Sequence, residues 1–600
     1  MEQSKVKNTG TIPGLDGLRA VAITGIVFYH MFPQAIRGGY LGVSLFFVLS
    51  GYLMAVTALR AEAAGGFSAG RFYLRRLRRI YPALLLVLAL TLLALRLLLP
   101  AALQGMRGEV GSVLLGYGNW RQILQNSSYF TRISNTSPLT HLWSLAVELQ
   151  YYLLWPVLFW LYRAMARRGE GPAGDGVLLA LAIISAVAMG MLYPADGDPN
   201  RVYYGTDTRA HALLLGSALG LLRAPGVLRL SKRAGAWLFA VCSAGVLALM
   251  VLLDGSWRVA YYGLIPLAAV LFSVLVCLCA DEHLPIGRWL NGKPLVWLGR
   301  RSYEIYLCMY PVLWLFQRLQ PVENDPWLLA VLELAVILVV SALVHAVTSP
   351  KALEARAGEP GWKYIARPAF WLWLVLAAAG VWVLYAAPAD AGDTAALEQE
   401  LELNRQRIEE PAETEPVVYT DPAAVTMVGD SVMLGALPAL ETAVPGCVVD
   451  AKVSRQVWDA QAVLDHLESS GQLGSTVVLA LGTNGTFSQE QGQALLDRLG
   501  PDRQVYWVTA YGAALPWQEQ SNDAIRALAA SNDNVTLIDW SAIAPGHDSW
   551  FYSDGIHLQS PGQDAYAAMI AEAIGIEPQT LEPGSDPYTD YYYEDTAVYP

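Results

Sequence analysis

Ala369-Phe370-Trp371-Leu372-Trp373-Leu374-Val375-Leu376-Ala377-Ala378-Ala379-Gly380-Val381-Trp382-Val383-Leu384-Tyr385-Ala386-Ala387 is an uncharged apolar run. About 20 such residues cross a bilayer as a helix, and this run divides the chain into two regimes. Before it, apolar windows recur near 17–34, 38–59, 80–99, 139–162, 176–193, 209–222, 236–253, 261–280, 302–318 and 327–348. Together they make roughly eleven expected spans, the sixth the weakest because it is short. After it the chain reads like a soluble α/β protein. The overall composition, 54% hydrophobic and 15% charged over 600 residues, averages the two; an ordinary soluble chain carries about 25% charged residues. The first window is not a cleaved signal, because no small-residue cleavage site follows and a second span begins almost at once.

Basic residues set the expected orientation. Lys5 and Lys7, the loop cluster Arg71-Phe72-Tyr73-Leu74-Arg75-Arg76-Leu77-Arg78-Arg79, Arg163/Arg167/Arg168, Arg223/Arg229/Lys232/Arg233, Arg288/Lys293/Arg300/Arg301 and Lys351/Arg356/Lys363/Arg367 fall on one side of the alternation. The opposite loops hold scattered residues such as Arg107, Arg121, Arg201 and Arg258. Cytoplasmic loops are the richer in Lys and Arg. The N-terminus is therefore expected in the cytoplasm, and an odd number of spans puts everything after residue 387 outside the plasma membrane. The Arg71–Arg79 cluster is a topology signal that also suits anionic lipid or a phosphorylated ligand. The net charge of −12 arises in the linker, C-terminal domain and tail.

Residues 388–424 are expected to be an extracytoplasmic linker. Within it Ala396-Leu397-Glu398-Gln399-Glu400-Leu401-Glu402-Leu403 forms a short exposed helix, before Pro411, Pro416 and Pro422 interrupt regular structure. From 425 to 576, Val477-Val478-Leu479-Ala480-Leu481, Val505-Tyr506-Trp507-Val508 and Val535-Thr536-Leu537-Ile538 read as buried parallel strands. Strands separated by helices predict a doubly wound α/β domain. Residues 577–600, acidic and rich in Tyr and Pro, are expected to be disordered. Five cysteines set no disulfide framework: Cys242, Cys277, Cys279 and Cys308 lie in apolar windows, and Cys447 is alone in the soluble part.

Val425-Thr426-Met427-Val428-Gly429-Asp430-Ser431 is an apolar strand running into Gly-Asp-Ser. Ligands sit beyond the carboxyl ends of strands in open α/β sheets, which suits Ser431 as a nucleophile. A serine hydroxyl needs a base; His557 in Ser553-Asp554-Gly555-Ile556-His557 is the candidate, with Asp554 near enough to hold its tautomer. Asn484 in Gly482-Thr483-Asn484 ends another strand and can donate to an oxyanion with the Ser431 backbone N–H. His466 and His547 read as surface histidines. Each motif alone also fits a turn or a helix cap. In chain order, each at an element boundary, they resemble the SGNH (GDSL-like) hydrolase family. That resemblance implies a Ser431–Asp554–His557 triad with Asn484 in the oxyanion hole. Its remaining mark, a backbone donor on a Gly, falls where this chain has Ser454.

Ionisable groups inside a membrane are costly and are functional candidates. His30 lies near the outer end of the first window; His141 opens the fourth, and Glu148, seven residues on, shares its helix face. A packing role for the His141–Glu148 pair is the plainer reading. Leu15-Asp16-Gly17-Leu18-Arg19-Ala20, His30, Gly42-Val43-Ser44-Leu45-Phe46-Phe47-Val48-Leu49-Ser50-Gly51-Tyr52, Arg75-Arg76-Leu77-Arg78-Arg79-Ile80-Tyr81-Pro82 and His141-Leu142-Trp143-Ser144-Leu145-Ala146-Val147-Glu148 together resemble the acyltransferase-3 family across residues 11–350. The resemblance implies an acyl-CoA donor, with Arg19, Arg75 and Arg76 holding CoA phosphates and His30 with Glu148 as an acid/base or acyl-relay pair. Arg209 also matches a family position. Met309 stands where the family often has His.

An acyltransferase-3 unit joined through an extra helix, 369–387, to an outward SGNH domain resembles the peptidoglycan O-acetyltransferases of Gram-positive bacteria. The fold expected is thus a multi-pass α-helical membrane domain followed by an extracytoplasmic α/β, SGNH-like domain with a parallel sheet. The function implied is an O-acyltransferase that relays acetyl from cytoplasmic acetyl-CoA across the bilayer to a cell-wall glycan, through a Ser431 acyl-enzyme. The same chemistry on an exopolysaccharide or secondary wall polymer, a membrane-tethered esterase, and a transporter are the alternatives. The reading calls for no metal and no nucleic acid and sets no oligomeric state.

Overall fold

The computed structural model describes residues 12, 14–103, 105–124, 137–167, 171–194, 199–222, 230–281, 283–319, 322, 325–349, 368–387, 392–409, 425–453, 455–512, 515, 517–552 and 554–576. Ser454, the prolines at 411, 416 and 422, and the acidic tail lie outside the described residues. The chain forms two compact units, one built from Met1–Phe130 and Thr136–Ala389, the other from Thr131–Asn135 and Asp390–Pro600.

The first unit is helical. A helix occupies every apolar window: α1 (Leu15–Met31), α2 (Gly42–Ala63), α3 (Ala69–Leu98), α4 (Trp143–Arg167), α5 (Gly171–Met191), α6 (Thr206–Leu221), α7 (Lys232–Leu252), α8 (Ile265–Ala280), α9 (Ser302–Leu319), α10 (Pro326–Thr348) and α11 (Pro368–Ala386). Among the described residues, seven helical stretches are long and apolar enough to cross a membrane. α1 and α6 are shorter, at 17 and 16 residues.

The basic cluster differs from expectation. Arg71–Arg79 is not a loop but the first turns of α3, which runs for 30 residues. Ser68 caps that helix, its Oγ accepting from the Arg71 N–H at 3.4 Å. Arginine and leucine are good helix formers, and from Arg71 to Tyr81 no glycine or proline interrupts. Helical spacing then separates the arginines by face.

Small residues let the helices close. A Cβ on Gly51 would lie 2.1 Å from Leu213 O, and one on Gly216 would lie 2.1 Å from Val48 O. α2 and α6 therefore meet backbone to backbone, as membrane helices do where lipid supplies no hydrophobic drive. Ser217 Oγ, in the same seam, donates to Gly51 O at 3.2 Å. α11 lies along α3 with Gly380 against Ala89, and Trp373 Nε1 donates to Pro82 O at 2.9 Å. Arg107 closes the end of α11, donating to the carbonyls of Leu384, Tyr385 and Ala387 at 3.1, 2.6 and 2.5 Å. Those carbonyls lack helical partners, so a cation there satisfies them and the helix dipole together.

The second unit is a parallel sheet of five strands in the order β2-β1-β3-β4-β5, with β1 Val425–Gly429, β2 Val448–Ala451, β3 Thr476–Ala480, β4 Gln504–Val508 and β5 Val535–Ile538. Apolar side chains fill both faces, which is why the inner strands read as continuous apolar runs. The strand order reverses between β1 and β3, and the crevice beyond their carboxyl ends is the usual ligand site of such sheets.

The linker helix also differs from expectation. It is longer, α12 (Gly392–Glu409), and it is not exposed throughout. Leu397 and Asn404 are buried, and Leu401 and Ile408 pack on the domain's apolar core. Asn404 Nδ2 donates to Leu434 O at 2.9 Å. The compact unit thus begins well before β1.

Candidate active site

β1 delivers Ser431 to the first position of a short helix, α13 (Ser431–Gly435). Asp430 caps it, Oδ1 accepting from the Val432 N–H at 3.0 Å. Ser431 Oγ lies 2.9 Å from His557 Nε2, and His557 Nδ1 lies 2.5 Å from Asp554 Oδ2. A tight turn makes this possible. Phe551 and Leu558 form an antiparallel bridge, the Tyr552 N–H donates to His557 O at 2.8 Å, and Gly555 takes the left-handed φ of 68° that the reversal needs. Asp554 Oδ1 accepts the backbone N–H groups of Ile556 and His557 at 2.9 and 3.0 Å.

Burial alone would push His557 down. The hydrogen bond to Asp554, and the charges of Asp554, Asp430 and Glu400, outweigh burial and raise it above the ordinary imidazole value. Asp554 is buried too, yet its bond to His557 and its two backbone donors hold it below the usual carboxylate range. Burial raises the neighbouring Asp430, against the bond from the Val432 N–H. A serine, a neutral-capable imidazole and an ionised carboxylate in line are the parts of a nucleophilic acyl-transfer site.

Asn484 lies beyond β3. Its Nδ2 donates to Arg455 O at 3.3 Å, and its own carbonyl accepts from Gln456 Nε2 at 2.8 Å. Arg455 is buried and ties the ends of β1 and β2 together, donating to Gly429 O at 3.1 Å and to Asp450 Oδ1 at 2.5 Å. Neither Arg455 nor Gln456 was singled out in the sequence, although both lie in the segment around Ser454 where the family's backbone oxyanion donor is expected. His466 and His547 are exposed, as read.

In the helical unit Arg19, Arg76, Arg79, Ser50, Glu148 and Tyr152 line one cavity of about 820 Å³, counted to its open mouth. Glu148 accepts from both Ser50 Oγ and Tyr152 OH. The Arg76 guanidinium lies 4.7 Å from the centroid of the Tyr152 ring. Arg75 points elsewhere: it is exposed, and its Nε donates to Arg71 O at 3.2 Å. Neither His30 nor His141 lines this cavity. His141 stands in a 3-10 turn (Thr140–Leu142) that runs directly into α4.

His30 and His141 instead share a ring. Both imidazoles sit 5.1 Å from the centroid of Tyr310. Tyr306 lines the cavity, lies 5.2 Å from the His141 ring and donates to His141 O. The sequence of contacts therefore runs from the cavity through Tyr306 and His141 to Tyr310 and His30. Arg209 is buried between the rings of Trp143 and Tyr203, and Met309 is buried. Among the described residues no cluster of His, Cys, Asp and Glu fits a metal ion.

The acyltransferase-3 family model, described as an acyltransferase domain, matches residues 12–346. Relatives match nearly end to end. A Bacillus subtilis (strain 168) protein, YrhL, provisionally named a peptidoglycan O-acetyltransferase, is 30% identical across 95% of this chain and 99% of its own. Peptidoglycan O-acetyltransferase OatA of Listeria monocytogenes serovar 1/2a is 29% identical across 94% of this chain and 98% of its own. Among solved structures, the C-terminal catalytic domain of Streptococcus pneumoniae peptidoglycan O-acetyltransferase A, with a methylsulfonyl adduct, is 27% identical, covering 25% of this chain and 92% of that one at a TM-score of 0.24. The chain is a membrane protein of the acyltransferase-3 family, and it is an O-acetyltransferase.

Proposed function

We propose that the protein moves acetyl from cytoplasmic acetyl-CoA to a hydroxyl of an extracytoplasmic wall glycan, with Ser431 as the acyl carrier. Peptidoglycan is the acceptor in this reading, supported by the names of the end-to-end relatives. The observation that carries it is the continuous Ser431–His557–Asp554 line of hydrogen bonds.

Ser431 Oγ attacks the acetyl carbonyl while its proton passes to His557 Nε2. The Ser431 backbone N–H and the Asn484 amide stabilise the oxyanion. Collapse breaks the bond to the acetyl carrier, which takes the proton from His557. A glycan hydroxyl then attacks the Ser431 ester, gives its proton to His557, and leaves as the acetyl ester; His557 returns the proton to Ser431 Oγ.

Donor entry is assigned to the cavity of the helical unit. Arg19, Arg76 and Arg79 on its wall suit the phosphates of CoA, and Glu148 with Ser50 and Tyr152 forms a polar station beside them. His30 and His141 are the onward stations in this reading. Eleven crossings with a cytoplasmic N-terminus, supported by the alternation of basic residues, put the Ser431 domain on the acceptor's side.

Labelled acetyl-CoA sealed inside right-side-out vesicles tests the whole path. Label should reach external glycan in the wild type and stop in Ser431→Ala and in His30→Ala. Delivery at the wild-type rate in Ser431→Ala would sink the acyl-carrier reading.

A further inference from the structure

We propose that Glu400, carried on α12 ahead of the α/β domain, is a positioning residue that clamps the catalytic histidine turn from outside the sheet. The proposal rests on the reading of Ser431, His557 and Asp554 as the transfer site.

Each oxygen of this carboxylate has its own donor. Glu400 Oε2 accepts from Tyr552 OH at 2.8 Å, and Oε1 accepts from Gln563 Nε2 at 2.6 Å. Both of those residues help to hold the histidine strand. Tyr552 donates its backbone N–H to His557 O at 2.8 Å, and Gln563 Nε2 also donates to Leu558 O at 2.9 Å. One carboxylate thus braces both consecutive carbonyls, at 557 and 558, through one intermediary each. Gln563 belongs to the helix Ser560–Ala573, so the clamp joins three separate elements.

The helix that presents Glu400 is itself fixed. Leu397, Leu401, Asn404 and Ile408 face the domain, and Glu400 lies on the same side. A carboxylate is the side chain that accepts on both oxygens; glutamine keeps the shape but turns one acceptor into a donor. The charge adds a second effect. The acidic groups acting on His557 are Asp554 in its own turn, Asp430 before α13 and Glu400 on α12. Removing the charge of Glu400 therefore makes the imidazolium less favourable.

The test uses the full-length protein in membranes, an aryl acetate as donor, and kcat and KM measured across pH. Glu400→Gln should lower kcat about five-fold with KM nearly unchanged, and move the acidic limb down by roughly half a pH unit. Tyr552→Phe should lower kcat alike while leaving the limb in place, because the charge remains. A merely structural Glu400 would change the amount of folded protein and not the limb. Because Glu400→Gln is isosteric and Tyr552→Phe deletes a single hydroxyl, the comparison holds even where Glu400→Ala fails to fold. A Glu400→Gln profile that overlays the wild type, with Ser431→Ala inactive, overturns the clamp alone. Wild-type turnover in Ser431→Ala overturns the site reading and the clamp with it.

Discussion

Asp554 holds His557 at two points: its Oδ2 meets Nδ1 at 2.5 Å and its Oδ1 accepts the residue's own backbone N–H at 3.0 Å. The same carboxylate therefore fixes the ring and the strand that bears it. Asp554→Asn replaces one acceptor with a donor and permits the wrong imidazole tautomer. Acetyl transfer should fall about 10³–10⁴-fold, measured as kcat with an aryl acetate, while Ser431 remains in place for slow acylation.

The two shifted pKa values give activity and stability opposite trends with pH. His557 is raised in the folded state, so its contribution to stability is complete below the unfolded imidazole value and fades as pH rises through the folded one. Asp554 is lowered, so its contribution is complete above the unfolded carboxylate value and is lost as pH falls through the folded one. The pair thus favours folding most between about pH 4 and 6.5. Catalysis needs neutral His557 and should rise above that window. Thermal unfolding and kcat, recorded over the same pH series, should diverge there.

Arg75 and Arg76 are neighbours in sequence and opposites in space. Arg76 lines the cavity and stacks near Tyr152, whereas Arg75 faces out. Arg76→Gln should raise the KM for acetyl-CoA about ten-fold through the loss of one charge-assisted contact. Arg75→Gln should change it less than two-fold, roughly the worth of an exposed charge. Initial rates of label transfer in vesicles measure both.

The Glu148 station predicts a division of labour. Glu148→Gln leaves Ser50 and Tyr152 facing a neutral amide, and transfer from acetyl-CoA should fall by at least about 100-fold, as for loss of a general acid or base. Aryl acetate hydrolysis by the Ser431 site should be unchanged. Equal loss of both activities would contradict the assignment.

Arg107→Ala removes three hydrogen bonds from the carbonyls that end α11. The end of that helix should fray, at a cost of about 1–3 kcal/mol. Faster cleavage by added protease just after residue 387 is the expected sign.

Much of this was legible from local pattern. Val477–Leu481 and its fellow strands declared themselves because both faces are buried, and the triad because Asp554 and His557 lie within one turn. β2 was not marked as a strand, since Val448-Val449-Asp450-Ala451 is short and half exposed at the sheet edge. The docked face of α12 left a signal that was passed over. Leu397, Leu401, Asn404 and Ile408 recur at helical spacing, hidden by the surrounding glutamates and by a polar residue inside the stripe. The cavity had no such signal, because Arg19, Ser50, Arg76 and Glu148 come from four helices. Only packing brings them together.

The seam between α2 and α6 has a mechanical consequence. With Gly51 against Leu213 O and Gly216 against Val48 O, turning either helix by one residue, about 100°, would drive a side chain into the partner's backbone. This pair has one rotational setting and acts as a chassis. Ser50, next to Gly51 on α2, is thereby held at one angle to the cavity it lines, so the seam fixes the aim of a hydroxyl it does not touch.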